Sequence, residues 1–184
     1  MAHTEEYWIE EYANPYPNSS VVGVRVANRS TRQMLLRIQR GDKVVIGHNV
    51  TLGRNVVIHD GVTIGDNVTI GDKVTLLQGV SIGNNVAIGS GSHIDCQATI
   101  GDYVTLGRGV RVAQFAKLFV SSSIGDKCVI GSFAEVHDAT ALDNNVVVGR
   151  KAIIGGASWV KAKVEVCDGT EVPVGVVLQH AVAA

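Results

Sequence analysis

Several residue types that shape ordinary folds are scarce in this chain of 184 residues. Proline occurs three times, and two of these, Pro15 and Pro17, stand together near the start. Aromatic residues make up only 5% of the sequence, which suits an interior too narrow for rings and better filled by Val and Ile. Neither sign of charge dominates: the formal net charge is −1 and the pI about 6.6, so there is no electrostatic case for a nucleic-acid partner. No apolar run approaches the ~20 residues that a membrane-spanning helix needs. The opening Met1-Ala2-His3-Thr4-Glu5-Glu6 does not read as a signal peptide. The three cysteines, Cys96, Cys128 and Cys167, form no Cys-x-x-Cys clamp. A reduced, cytoplasmic setting is expected rather than a disulfide framework.

What the chain has in abundance is one six-residue phrase. Residues 42–179 read x-x-(small)-x-(aliphatic)-Gly without insertion or deletion, as in Asp60-Gly61-Val62-Thr63-Ile64-Gly65 and then Asp66-Asn67-Val68-Thr69-Ile70-Gly71. The fifth place is always aliphatic, from Ile46 and Leu52 to Val172 and Leu178. The third is small or β-branched, as at Val44, Ser92, Ala116, Cys128 and Thr140. A fixed period of this kind marks a solenoid. Third and fifth residues point to the same side of an extended strand, and the second and fourth point out. The sixth-place Gly is expected to relieve the backbone at a sharp bend, where a Cβ would clash. Three hexads then make one triangular coil. The 23 hexads of residues 42–179 give nearly eight coils, a prism ~37 Å long at the parallel-strand spacing. Sandwich strands and turns vary in length, and helices have a period of 3.6, so neither fits. The pattern resembles that of the hexapeptide-repeat proteins. That resemblance implies an all-β fold, the left-handed parallel β-helix.

Solenoids need caps over their open ends. Residues 1–41 lie outside the hexad frame and are the expected N-terminal arm and cap. Within them Ser19–Ala27 alternates like a strand, and a short helix from Ser30 to Gln39 would bring Met34, Leu35, Leu36 and Ile38 onto the first coil. Residues 5–16 are acidic and aromatic, and read either as an arm packed on its own or a neighbouring subunit or as a docking peptide for another protein. Arg25, Arg29, Arg32, Arg37 and Arg40 read as a solvated cap face. Residues 180–184 form a short tail, with no closing helix expected.

With 18 residues per coil, residues 18 apart lie above one another. One bend column runs Gly101, Phe119, His137, Gly155, and an outward column on the same face runs Gln97, Phe115, Phe133, Lys151. All three Phe of the chain therefore fall beside His137 in two adjacent coils. Exposed aromatics gathered on one patch point to a partner subunit or a bound apolar group. Elsewhere the columns read as structure: a polar ladder of His48, Asp66, Asn84 and Asp102, surface pairs along Arg54, Asp72, Ser90, Arg108 and Asp126, and corner residues His59 and Asp95 in a subunit contact. His93 faces outward between Thr75 and Arg111.

Ile124 to Asp138, with Gly131-Ser132 and His137, resembles the metal-binding stretch of γ-class carbonic anhydrases. That family implies a trimer with three His on zinc. Here His137 matches one ligand, while Ser132 and Phe119 stand at the other two positions, so no bound metal and no carbonic anhydrase activity are expected. The repeat also resembles that of the hexapeptide acyltransferases. This implies an acyl donor, acyl-CoA or acyl carrier protein, held in a cleft between subunits, with one His as base. His137 and Asp138 are the residues expected to carry that chemistry, and Phe115, Phe119, Phe133 and Ser132 are expected to line the site or the interface. No bound cofactor is expected. Two readings stay open: an acyltransferase, or a non-catalytic homotrimeric scaffold with uninterrupted coils.

Overall fold

The computed structural model describes residues 44–181. The expected cap over residues 1–41, the acidic segment 5–16 and the last three residues of the tail lie outside it. In the described residues every hexad contributes one two-residue strand, from β1 (Val45–Ile46) to β23 (Val177–Leu178), and there is no helix. The 23 strands fall into three parallel sheets of eight, eight and seven. The first face holds every third strand from β1 (order β1, β4 and onward), the second begins at Thr51–Leu52 and the third at Val57–Ile58. Partners are always 18 residues apart, as in Val45 beside Thr63 and Ile154 beside Val172. The architecture is thus an uninterrupted parallel β-helix of nearly eight coils, with no loop inserted between coils among the described residues.

The hexad accounts for this shape place by place. Fifth-place side chains from Ile46 to Val172 fill the axis of the prism, and third-place Val50, Val62 and Val68 are fully buried beside them. Together they form one continuous core. Fourth-place residues alternate out to solvent. The fourth-place N–H donates to the third-place carbonyl one coil on (Val45 to Val62, 2.9 Å), and the sixth-place N–H to the fifth-place carbonyl (Gly47 to Ile64, 2.8 Å). The second-place N–H donates to the first-place carbonyl one coil back, as Asn67 does to His48 at 2.8 Å. Backbone groups are therefore paired all along the prism, as burial of a sheet requires.

One expectation needs correcting in part. The backbone turns into the left-handed region at the second place of the hexad, from Asn49 (φ 55°) to Gly175 (φ 74°), and not at the sixth-place Gly. Asn is at home there, but Phe115 and Phe133 are held at φ 60° as well. For such residues this conformation costs roughly 1–2 kcal/mol. The Cβ clash expected at the sixth-place Gly is present, and its source is the next coil, which stands over it. A Cβ on Gly53 would lie 2.4 Å from the carbonyl carbon of Gly71. Where the stacked sixth place carries Phe119 the gap opens, and a Cβ on Gly101 would meet Leu118 O at 3.0 Å.

The expected polar ladder is present, and the surface-pair column forms its Arg54–Asp72 ion pair but none between Arg108 and Asp126. The Asp66 carboxylate accepts from the backbone N–H of His48, the Asn84 amide oxygen from that of Asp66 at 2.8 Å, and Asp102 from that of Asn84 at 2.7 Å. Arg54 and Asp72 pair at 2.9 Å, as do Arg150 and Asp168. Cys128 is buried in the core, while Cys96 and Cys167 are half-buried at bends, and all three are free thiols.

Candidate functional site

Strand β13 (Lys117–Leu118) and strand β16 (Glu135–Val136) are neighbours on the first face, with Lys117 beside Glu135. The chain enters each of these strands through a corner carrying a Phe and leaves it through a corner carrying an aromatic ring. On the entry side Phe115 and Phe133 stack with ring centroids 4.9 Å apart and planes within 11°. On the exit side Phe119 and His137 stack at 4.7 Å and 20°. The three Phe therefore do not gather into one cluster around His137. They form two stacks, one at each corner of the face, with the Lys117–Glu135 pair between them.

That pair is tied to the imidazole. Lys117 Nζ lies 3.0 Å from Glu135 Oε1, and Glu135 Oε2 lies 3.5 Å from His137 Nε2. The side chain of His137 is 41% exposed, so its free ring edge is open to a ligand while Phe119 covers one face. One carboxylate thus bridges a lysine and a histidine in line across the face. This arrangement can hold the imidazole in one orientation and fix which nitrogen carries the proton.

Asp138 sits elsewhere. It opens the next corner, and its Oδ1 accepts the backbone N–H of Val120 at 3.0 Å. This is the same first-place bond that Asp66, Asp102 and Asp126 make in their coils. The carboxylate beside the His137 ring is that of Glu135. Ser132 is half-buried at the far end of β16, beside Phe133, so within one subunit it is not brought to His137. Glu135 and Lys117 were missed by the sequence reading, although two signals mark them: Glu135 and His137 are two apart on a strand, and Lys117 and Glu135 are 18 apart. Among the described residues no group of three His, Cys, Asp or Glu side chains could hold a metal ion.

Comparison with known proteins agrees with the repeat. Residues 43–78 and 79–114 match the family described as bacterial transferase hexapeptide (six repeats), and residues 122–156 match the hexapeptide repeat of succinyl-transferase. The chain belongs to the hexapeptide-repeat superfamily. No curated protein matches it. Among solved structures it is similar to the UDP-N-acetylglucosamine O-acyltransferase LpxA of Moraxella catarrhalis, with 23% identity over 78% of this chain and 61% of that one, and a TM-score of 0.51. It is also similar to LpxA of Acinetobacter baumannii, with 18% identity over 74% of this chain and 63% of that one, and a TM-score of 0.49. The chain spans about three-fifths of the length of these two structures. The likeness to the Moraxella structure makes the solenoid a left-handed β-helix.

Proposed function

We propose that the protein is an acyltransferase that moves an acyl group from acyl-CoA or acyl carrier protein to a hydroxyl or amine at a cleft between subunits of a homotrimer. The observation that carries this reading is the His137 imidazole, stacked on Phe119 with Glu135 Oε2 3.5 Å from its Nε2. In this reading the Glu135 carboxylate beside Nε2 favours the proton on that nitrogen, and Nδ1 is left as the base. It takes the acceptor's proton as the acceptor oxygen or nitrogen attacks the thioester carbonyl. The tetrahedral adduct collapses, the C–S bond breaks, and the thiol leaves with that proton. Lys117 positions Glu135, and the Phe stacks supply apolar walls for the donor arm. Asp138, expected from the sequence to share the chemistry, is a positioning residue for the Val120 corner. Membership in a repeat superfamily named for transferases supports the class. The free thiols of Cys96, Cys128 and Cys167 favour a cytoplasmic setting.

A second reading, a trimeric scaffold without catalysis, is favoured by one observation: among the described residues the coils run without any inserted loop to deepen a pocket. Thermal melts with acetyl-CoA and CoA separate the two. A ligand that binds only the native state raises Tm by mass action. The transferase reading expects such a rise, together with thiol release from acetyl-CoA on a panel of amines and sugars, and loss of turnover in His137→Ala at unchanged Tm. No Tm shift at millimolar donor in a protein shown to be trimeric leaves the scaffold.

A further inference from the structure

The last two described coils present apolar side chains on one side only. Val174 is 75% exposed and stands at a first place, in the column where earlier coils carry Asp66, Asn84 and Asp102. Pro173 before it is exposed as well. On the strand that follows, Val177 points outward beside Trp159, its exposed neighbour on the second face. The outward residues of the last strands on the other two faces are both acids, Glu165 and Glu171. Val177 holds the matching place on the second face. These coils are therefore apolar on one side and acidic on the other two, and apolar groups gathered in this way mark a contact surface.

Trp159 is held for outward use. Its Nε1–H donates to Asp143 Oδ1 at 2.9 Å, which satisfies the one polar atom of the indole within the protein and leaves the rings at the surface. Lys161 Nζ lies 2.9 Å from the ring centroid, and Lys163 stands at the corner two residues on. Among the described residues neither lysine lies within 4.0 Å of a carboxylate. A tryptophan beside free cations and small apolar side chains is the composition found at the headgroup level of a bilayer. A second protein chain asks for more, since a stable interface takes ~20–30 residues a side. The patch also lies on a convex corner, which encloses no small ligand. A lipid surface needs only a few protruding apolar side chains, and it attracts each cation near its anionic headgroups.

We propose that Trp159, Pro173, Val174 and Val177 dip into the headgroup region of an anionic bilayer, with Lys161 and Lys163 against its phosphates. The protein is then held at a membrane surface by the second-face side of these two coils. Glu165 and Glu171, on the other two faces, are turned from the lipid and fix which side goes down. This is peripheral attachment: among the described residues no helix is long and apolar enough to cross a membrane. It uses neither His137 nor the Phe stacks and does not depend on acyl transfer.

Co-sedimentation of the full chain with vesicles tests this. The protein should bind vesicles of phosphatidylcholine with phosphatidylglycerol more tightly than phosphatidylcholine alone, and binding should fall as salt rises because exposed charges are screened. Val174→Asp/Val177→Thr places at each position a residue that the same column carries elsewhere, as at Asp66 and Asp102 or at Thr51 and Thr69. It should keep its Tm and lose binding by about tenfold or more, since attachment scales with the apolar area inserted. Lys161→Gln/Lys163→Gln should lose about tenfold or more on the anionic vesicles alone, as two basic residues at a charged surface give. Val57→Thr, an exposed valine at the far end of the prism, should bind as the parent does. Equal binding to phosphatidylcholine alone, unchanged binding by Val174→Asp/Val177→Thr, or no vesicle binding by the parent would overturn the proposal. So would a sedimentation coefficient that drops in Val174→Asp/Val177→Thr without vesicles, which assigns the patch to a second copy of the chain.

Discussion

The carboxylate of Asp138 accepts the backbone N–H of Val120, one coil back, at 3.0 Å. Asn performs the same task at Asn84 and Asn144, each taking the N–H of the residue 18 before it. Asp138→Asn should therefore keep both Tm and activity, whereas Asp138→Ala should cost about 1 kcal/mol through the unpaired N–H. Urea unfolding with a parallel rate assay reads both. A large loss of turnover in Asp138→Asn at unchanged stability would return this residue to the reaction.

Glu135→Gln leaves the shape of the site but removes the charge that faces His137 Nε2. If the imidazole is the base, kcat should fall about tenfold to a hundredfold, with KM for the donor little changed, since the carboxylate acts through the ring. A scaffold would show no rate to lose.

How much of this was legible is uneven, for physical reasons. The hexad repeats without a slip, so fold, coil number and register followed from Ile46, Leu52, Ile58 and their successors. The Phe119–His137 stack followed from an 18-residue column. Glu135 did not, because the reading took the chain neighbour Asp138 as partner, while alternation along a strand carries residue i+2, not i+1, to the same side. The left-handed backbone of the second place was hidden for another reason. Phe115, Tyr103 and Lys127 are not residues that advertise that conformation, and only the stack of coils holds them in it.

Phe133 is 49% exposed at a corner with φ 60°, a conformation that Asp tolerates better than Phe. Phe133→Asp thus removes a ring from the surface at little local cost. If the Phe stacks face a second subunit, sedimentation should show the variant as monomer or as a dissociating oligomer at micromolar concentration. An unchanged sedimentation coefficient would move the interface to another face.

Acid should weaken the prism. Asp66, Asp72 and Asp168 are held below the ordinary carboxylate range, first because each accepts a backbone N–H, from His48, Arg54 and Arg150 respectively, and then through those residues' side chains. A lowered folded-state value adds stability that is complete above the unfolded carboxylate range of about 4 and disappears as pH falls through the folded values. Tm should be flat from neutral pH to about 5 and decline below. The triple variant Asp66→Asn/Asp72→Asn/Asp168→Asn keeps an oxygen acceptor at each site and should decline less steeply; an identical acid limb would contradict the assignment.

Burial pushes the Cys128 thiol above its ordinary range and keeps it from solvent. Iodoacetamide should therefore modify Cys96 and Cys167 in the native protein and reach Cys128 only on unfolding. Peptide mass mapping after timed labelling reads the order directly.

Because each rung of the prism binds only the rung 18 residues before it and the rung 18 after, no part of the chain waits for a distant segment in order to fold. Structure can begin at any pair of coils and zip in both directions, with each added coil closing a loop of the same modest length. Opening should likewise start at the ends and proceed coil by coil, so amide exchange should be slowest around Ile94 to Ile130 and faster toward Val177. Removing 18 consecutive residues from within 60–95 takes out one rung and rejoins matching edges, leaving a shorter prism that still folds. Removing 6 would rotate every later face by one third of a turn and part Lys117 from Glu135 if the cut fell between them.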